Sequence, residues 1–361
     1  MPGRRILIVT GAGASRKLGT RGDIPLMVEW AAILRQACEA EEQGLAEALR
    51  LTTNITAEDF EQVVGELLGV KADIPLIKRY QGVGGRPMRP PQVRAVGGET
   101  GVWIENLERR LEAFERVLRV TLYEQFGLPA IDNAKAKAVV RTLLVALLGE
   151  EGVQFATTNY DRSLEIGLDA NGHRVNDGFG ADTALATPTL APEGIGNWVD
   201  ENDPTVTVLH LHGAVGWYAR PNGDIVSQYA DQPYNESLGT PAIVPPDPRK
   251  DPLNSPFVRA IWFEFRRVLT EATHVLILGH SLHDAPLVEA FREAAQDARF
   301  AIGFHDQPQD AVTLGVILPD GAAGFSWAKL ADERGFDRAL QFKVDFSPDA
   351  DMSMLESWLE S

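Results

Sequence analysis

Short apolar runs that end abruptly in small or polar residues recur along the chain. Arg5-Ile6-Leu7-Ile8-Val9-Thr10 leads into Gly11-Ala12-Gly13-Ala14-Ser15. Val153 to Thr158 leads into Asn159-Tyr160-Asp161, and Val206 to Leu211 into His212-Gly213. His274 to Leu278 leads into Gly279-His280-Ser281. Continuous apolar runs rich in β-branched residues, too short for helices, predict strands buried on both faces of a parallel sheet. Ligands of such sheets bind outside the carboxyl ends of the strands. Residues 6–9, 153–157, 206–211 and 275–278 are therefore expected side by side, with their ends on one crevice.

Between the runs the period changes to that of helices. Leu26, Trp30, Ile33, Leu34, Ala37 and Cys38 recur at helical spacing. Thr56, followed by Asp59 as a capping-box acid, opens a second helix with Phe60, Val63, Val64, Leu67 and Leu68 on its apolar face. Further helices are expected over 104–126, 134–148, 257–269 and 285–298. On the first of these, Glu105–Arg109, Glu112–Arg116 and Glu115–Arg119 are spaced to pair along the exposed side. Lys78 to Gly98, basic and rich in Gly and Pro, reads as a loop. Half of the 22 prolines fall between Pro188 and Pro256, which predicts mostly loop, with a hairpin near Trp217 and Ile225. Strands are expected over 300–304 and 340–346, then a short helix. The fold class is α/β: a Rossmann-like doubly wound parallel sheet occupying 1–335, with a helical insertion at about 50–150. Residues 336–361 add a strand and helix to the same domain.

Composition narrows the function. A net charge of −17 repels phosphate backbones and anionic membranes, so neither nucleic acid nor membrane is an expected partner. No run reaches the roughly 18 apolar residues of a membrane span. The first apolar run breaks at Gly11, too soon for a signal peptide, so a cytoplasmic location is expected. Cys38 is the single cysteine, so no multi-thiolate zinc site can form, and its place on an apolar helix face reads as core. His210 and His212 have no carboxylate at ligand spacing, so no metal is expected there.

The strand ends carry the candidate chemistry. The glycines at 11 and 13 allow close approach of a phosphate to the backbone, although the third glycine of a dinucleotide fingerprint is missing. Asn159 and Asp161 suit either ligand contacts or a helix cap. His212 suits proton transfer or a structural role.

Taken in order, GAGAS, TTNYD, LHLHG and GHSL resemble the motifs of the sirtuin family, specifically its bacterial SIR2-like branch. The resemblance spans residues 6 to 284. It implies that Gly11, Ala12, Gly13 and Ser15 hold NAD phosphates, and that Gly279, His280 and Ser281 form a second contacting turn. It further implies that Asn159 orients the nicotinamide ribose and a water, that Asp161 holds the carboxamide, and that His212 is the general base. The chain departs from protein-deacylating sirtuins, which carry a four-cysteine zinc module and an Asp-Phe-Arg after the first turn; here the corresponding stretch is Asp23-Ile24-Pro25-Leu26. SIR2-like proteins without the module resemble NAD-degrading effectors of bacterial antiphage defence. The resemblance therefore implies an NAD+ glycohydrolase with NAD+ as substrate and no bound cofactor. It also implies a homo-oligomer working with a HerA-type ATPase or an Argonaute. Two other readings stay open: a sensor that binds NAD or ADP-ribose without turnover, and an ADP-ribosyltransferase or cyclase.

Overall fold

The structure is a computed structural model that describes residues 4–20, 22, 24–49, 51, 57–82, 99–146, 152–179, 190, 205–228, 235–244, 256–280, 284–294, 298–304 and 340–343. In chain order, β1 (Arg5–Thr10) leads into the short α1 (Ala12–Ser15). Four helices follow: α2 (Met27–Glu41), α3 (Leu45–Ala48), α4 (Ala57–Gly82) and α5 (Glu99–Phe126). Next come α6 (Asn133–Ala146), β2 (Gly152–Thr157), α7 (Ser163–Ala170), β3 (Arg174–Asn176) and β4 (Thr205–His210). Then β5 (Gly213–Ala219), β6 (Ile225–Ser227) and β7 (Thr240–Ile243) precede α8 (Pro256–Glu271) and β8 (His274–Leu278). The remaining elements are α9 (Ala285–Ala294), β9 (Arg299–Phe304) and β10 (Leu340–Lys343).

The chain divides into two compact units, one of residues 1–24, 123–244 and 251–361, the other of residues 25–122 with 245–250. The first holds a seven-stranded sheet in the order β10-β9-β8-β1-β2-β4-β3. Every pairing in it is parallel. All four strands expected from the apolar runs are adjacent members, and Ile6 sits opposite both Val153 and His274. Leu211 alone of the expected residues lies just past the end of β4.

Pleating divides the side chains of each strand between two helix layers. Leu7, Val9, Ala156, Leu209, Val275 and Ile277 share one core with Val258, Ile261, Trp262 and Phe265 of α8 and Leu287 and Phe291 of α9. On the opposite face Thr10 and Leu278 line a small cavity with Val139, Val140 and Leu143 of α6 and Leu164 of α7. Helices thus cover both faces, as a doubly wound fold requires. The proline-rich stretch holds more structure than its composition suggests. Besides the expected β5–β6 hairpin, β7 pairs with β5 to complete a three-stranded antiparallel sheet.

The second unit is helical. Trp30 of α2 meets Phe60 of α4 edge to face, with ring centroids 5.5 Å apart. Cys38 is fully buried, and burial, then the nearby Glu39 and Glu41 carboxylates, pushes its thiol up to about 12. It is a core residue with little thiolate character. Residues 78–82, expected in a loop, instead belong to α4, which continues through an internal Pro75. Residues 83–98 lie outside the described residues, as do Thr56 and the final helix. Of the pairs expected along α5, Glu115–Arg119 forms. Arg109 and Arg116 instead reach across to Glu42 and Glu41 at the end of α2. Arg109 meets Glu42 through two N–H donors, a bidentate geometry that a carboxylate on the same helix does not offer as readily.

The chain runs outward from β1 to β2 and β4 on one side and to β8, β9 and β10 on the other, so the order reverses between β1 and β8. At that point two turns interlock. Gly11 N–H donates to Leu278 O and Gly13 N–H to Gly279 O, both at 2.9 Å. A Cβ on Gly11 would lie 2.6 Å from His280 Cα, and one on Gly13 2.9 Å from Gly279 O. Gly279 has φ +59, and a Cβ there would lie 2.2 Å from Ala14 N. Gly279→Ala should therefore cost about 1–3 kcal/mol of steric overlap beyond the cost of a positive φ alone. Gly172→Ala, at φ +87 with open space around it, isolates that φ cost. Equal shifts of the two variants in denaturant unfolding would contradict the interlock.

Candidate functional site

The site grows from what each strand end does with its first polar residue. Asn159 follows β2 and reaches back to the first turn. Its Nδ2 donates to Gly11 O at 3.0 Å and to Ser15 Oγ at 2.8 Å. A carbonyl only accepts, which fixes the nitrogen toward Gly11 and leaves the amide oxygen on the other side. That oxygen makes no hydrogen bond to any of the described residues.

Ser15 is a buried hub. Its hydroxyl takes the Asn159 bond and lies 3.3 Å from Ser163 Oγ. Asp161 Oδ1 accepts from Ser163 N at 3.0 Å, the first amide of α7. Asp161 thus serves as the helix-start ligand that its residue type suggested. Burial raises its pKa, and the Ser163 and Ser15 bonds oppose that only in part. Gly13 is half-exposed and Ala12 exposed, while the Gly13 N–H is spent on Gly279 O. What Gly13 offers a ligand is close approach rather than that donor. His280 stands against Gly11, and Ser281 lies outside the described residues.

His210 and His212 have different surroundings. His210 is the last residue of β4 and has no exposure. Its Nε2 lies 2.8 Å from Glu165 Oε1, which also accepts from Arg162 Nε at 3.0 Å. Arg162 Nη2 in turn donates to Asp177 Oδ2 at 2.7 Å. Burial works against charge on His210, but the Glu165 carboxylate and its hydrogen bond outweigh it and raise the pKa. Burial likewise works against the Glu165 charge, yet His210 and Arg162 hold its pKa down to about 2. Asp177, Arg162, Glu165 and His210 form an internal network of alternating sign. Sequence pattern singles out His210 and none of the network's other members, which lie at the start of α7 and just beyond β3.

His212 stands beyond the strand, in the turn to β5. Its Nε2 is 2.8 Å from Asp284 Oδ2, and both side chains are buried. The Tyr160 ring lies 6.5 Å from the imidazole, and Tyr160 Oη donates to Val244 O at 2.8 Å. The turn itself depends on Gly213, where φ is +73 and a Cβ would meet Ala242 O at 2.1 Å. Val244 N–H donates to His212 O at 2.8 Å, which anchors the histidine backbone to the chain just after β7.

Among the described residues, no group of three or more His, Cys, Asp or Glu could hold a metal ion. None of the described helices is long and apolar enough to cross a membrane.

Residues 153–302 match the family model of the SIR2-like domain. That stretch contains Asn159, Asp161, His212, Gly279, His280 and Asp284; the first glycine turn precedes it. One solved chain, from work on the mechanism and regulation of Sir2 enzymes, is 14% identical, with 99% of this chain and 92% of that chain covered at a TM-score of 0.40. No curated protein matches the chain.

The charge network sets a pH dependence for stability. The folded pKa of Glu165 lies below its ordinary 4.5, so its share of stability is full above that value and drains away as pH falls toward about 2. The folded pKa of His210 is raised, so its share is full below the ordinary 6.5 and is lost as pH rises through the raised value. These are two ends of one interaction. Glu165→Gln should flatten the unfolding free energy between pH 2 and 4.5 relative to wild type, measured by urea unfolding across that range. His210→Ala, which removes one of the two partners of the buried Glu165 carboxylate and leaves it Arg162, should cost about 1–3 kcal/mol at neutral pH.

Proposed function

We propose that the protein, SIR2-like over residues 153–302, is an NAD+ glycohydrolase that converts NAD+ and water to ADP-ribose, nicotinamide and a proton. The observation that carries this reading is Asn159. Its amide nitrogen is locked to the first turn while its amide oxygen has no partner among the described residues. That oxygen is a preorganised acceptor at the carboxyl end of β2, beside the reversal of strand order where ligands of doubly wound sheets bind.

Cleavage breaks the bond between the ribose anomeric carbon and the nicotinamide nitrogen. The electron pair leaves with nicotinamide, which departs neutral, and positive charge develops on the ribose. The Asn159 oxygen accepts from a ribose hydroxyl or from the attacking water. His212 takes the proton that water loses as it bonds to the anomeric carbon, which is general-base catalysis. Gly11 and Gly13 keep the chain low where the pyrophosphate passes, and Asp161 meets the carboxamide from its buried position at the start of α7. The cellular role proposed with this activity is NAD+ depletion in antiphage defence, by a homo-oligomer working with a HerA-type ATPase. Its support is the resemblance of the motif set.

Product analysis after incubation with NAD+ tests the reading. ADP-ribose and nicotinamide are expected. A cyclic product or labelled protein would replace hydrolysis with cyclisation or transfer, and saturable binding without products would make the chain a sensor. Asn159→Ala and His212→Ala should each lower cleavage about 10²–10⁴-fold. The double variant should be scarcely slower than either single one, because the two groups act on one step. Full activity in His212→Ala would remove the histidine from the mechanism.

A further inference from the structure

His212 does not stand alone. Asp284 precedes α9, and its two carboxylate oxygens have separate tasks. Oδ1 accepts from Leu287 N at 3.1 Å, while the main-chain carbonyl of Asp284 accepts from Val288 N at 3.1 Å. The start of α9 therefore fixes the direction of the carboxylate. Oδ2 faces His212 Nε2 at 2.8 Å in a buried setting. The two atoms are within ion-pair distance, though their angle falls short of a good hydrogen bond. Such misalignment is common at sites that tighten when substrate binds.

We propose that Asp284 is the positioning residue of His212: it holds the proton of the neutral imidazole on Nε2 and leaves Nδ1 as the basic nitrogen. An ionised carboxylate can only accept a hydrogen bond, so the ring nitrogen facing it must carry the proton. The other nitrogen then has the lone pair that a general base needs. The ring is restrained from its other sides by Tyr160 and by the backbone bond of His212 to Val244. Asp284 keeps its own charge throughout and takes no proton. The kinetic consequences rest on the glycohydrolase reading; the choice of tautomer does not.

Asp284→Asn tests this without removing the helix start, because the asparagine oxygen still accepts from Leu287 N. Its thermal midpoint should stay near that of wild type. The amide group can offer N–H to Nε2, which would move the ring proton to Nδ1. Nitrogen NMR of protein labelled at histidine, with His212→Ala to identify the signals, should show the Nε2–H form in wild type and the Nδ1–H form in Asp284→Asn. NAD+ cleavage should fall about 10²–10⁴-fold, as when such a carboxylate is neutralised in a hydrolase triad. The acid limb of kcat/KM should move to lower pH by about one unit or more, since the variant lacks the charge that favours imidazolium. A purely structural Asp284 would move neither the tautomer nor the pH limb. An Nδ1–H tautomer in wild type, or the same tautomer in both proteins, would overturn the proposal. Wild type inactive toward NAD+ with the tautomer switch intact would overturn the glycohydrolase reading and leave this one standing.

Discussion

The constraint on which the site depends is backbone contact between two turns. Where the strand order reverses, β1 and β8 run side by side and both must turn at the same level. Gly11, Gly13 and Gly279 meet there without side chains, and two backbone hydrogen bonds close the contact. Any Cβ at these positions would push the turns apart and carry with it the carbonyl that Asn159 grips. The glycines therefore act on the chemistry through spacing. A glycine-rich turn is usually read as a cradle for phosphate, but here part of its hydrogen-bonding capacity is spent on holding the neighbouring turn.

The two histidines show how two adjoining stretches of chain place the same side chain among different partners. His210, inside β4, is bound into a network with Glu165, Arg162 and Asp177. His212, past the end of the strand, meets the Asp284 carboxylate at the start of α9. Burial alone does not separate them, since both are nearly inaccessible. The partners separate them: Glu165 is shared with Arg162 and spent on the framework, whereas Asp284 is held by a helix start and directed at one ring nitrogen. His210 is consequently a poor inert control for His212, because its loss unbalances the interior.

Much of the framework was legible in the sequence because it depends on local pattern. The runs beginning at Ile6, Val153, Val206 and Val275 are apolar on both faces, and only a central parallel strand needs that. What escaped depends on distance along the chain. The helix after Asp161 is only eight residues long and too short to show a period. β3 has three residues and gains its place from pairing with β4. The antiparallel sheet after His212 was partly hidden by prolines, of which Pro241 sits within an outer strand of that sheet. Among site residues, Asn159 and His212 stood out because they are polar residues that follow closely on apolar runs. Asp284 did not, because it lies six residues beyond β8, and only the folded chain reveals what it faces. Glu165, Arg162 and Asp177 could have been noticed only as charges too close to a buried strand to be solvated.

The placement of β1 at the centre of the sheet has a consequence for biosynthesis. Its partner β2 follows after roughly 150 residues and β8 after nearly 270. On the ribosome β1 emerges well before both of its partners, wholly apolar from Ile6 to Val9, with neither hydrogen-bonding edge filled. It cannot be closed on its second side until His274–Leu278 has left the exit tunnel. Long-range parallel pairing of this kind is slow and leaves edges open to wrong partners. The same delay keeps the two glycine turns apart, and with them Asp284 from His212. A chain that has not been made as far as Asp284 therefore cannot assemble the site.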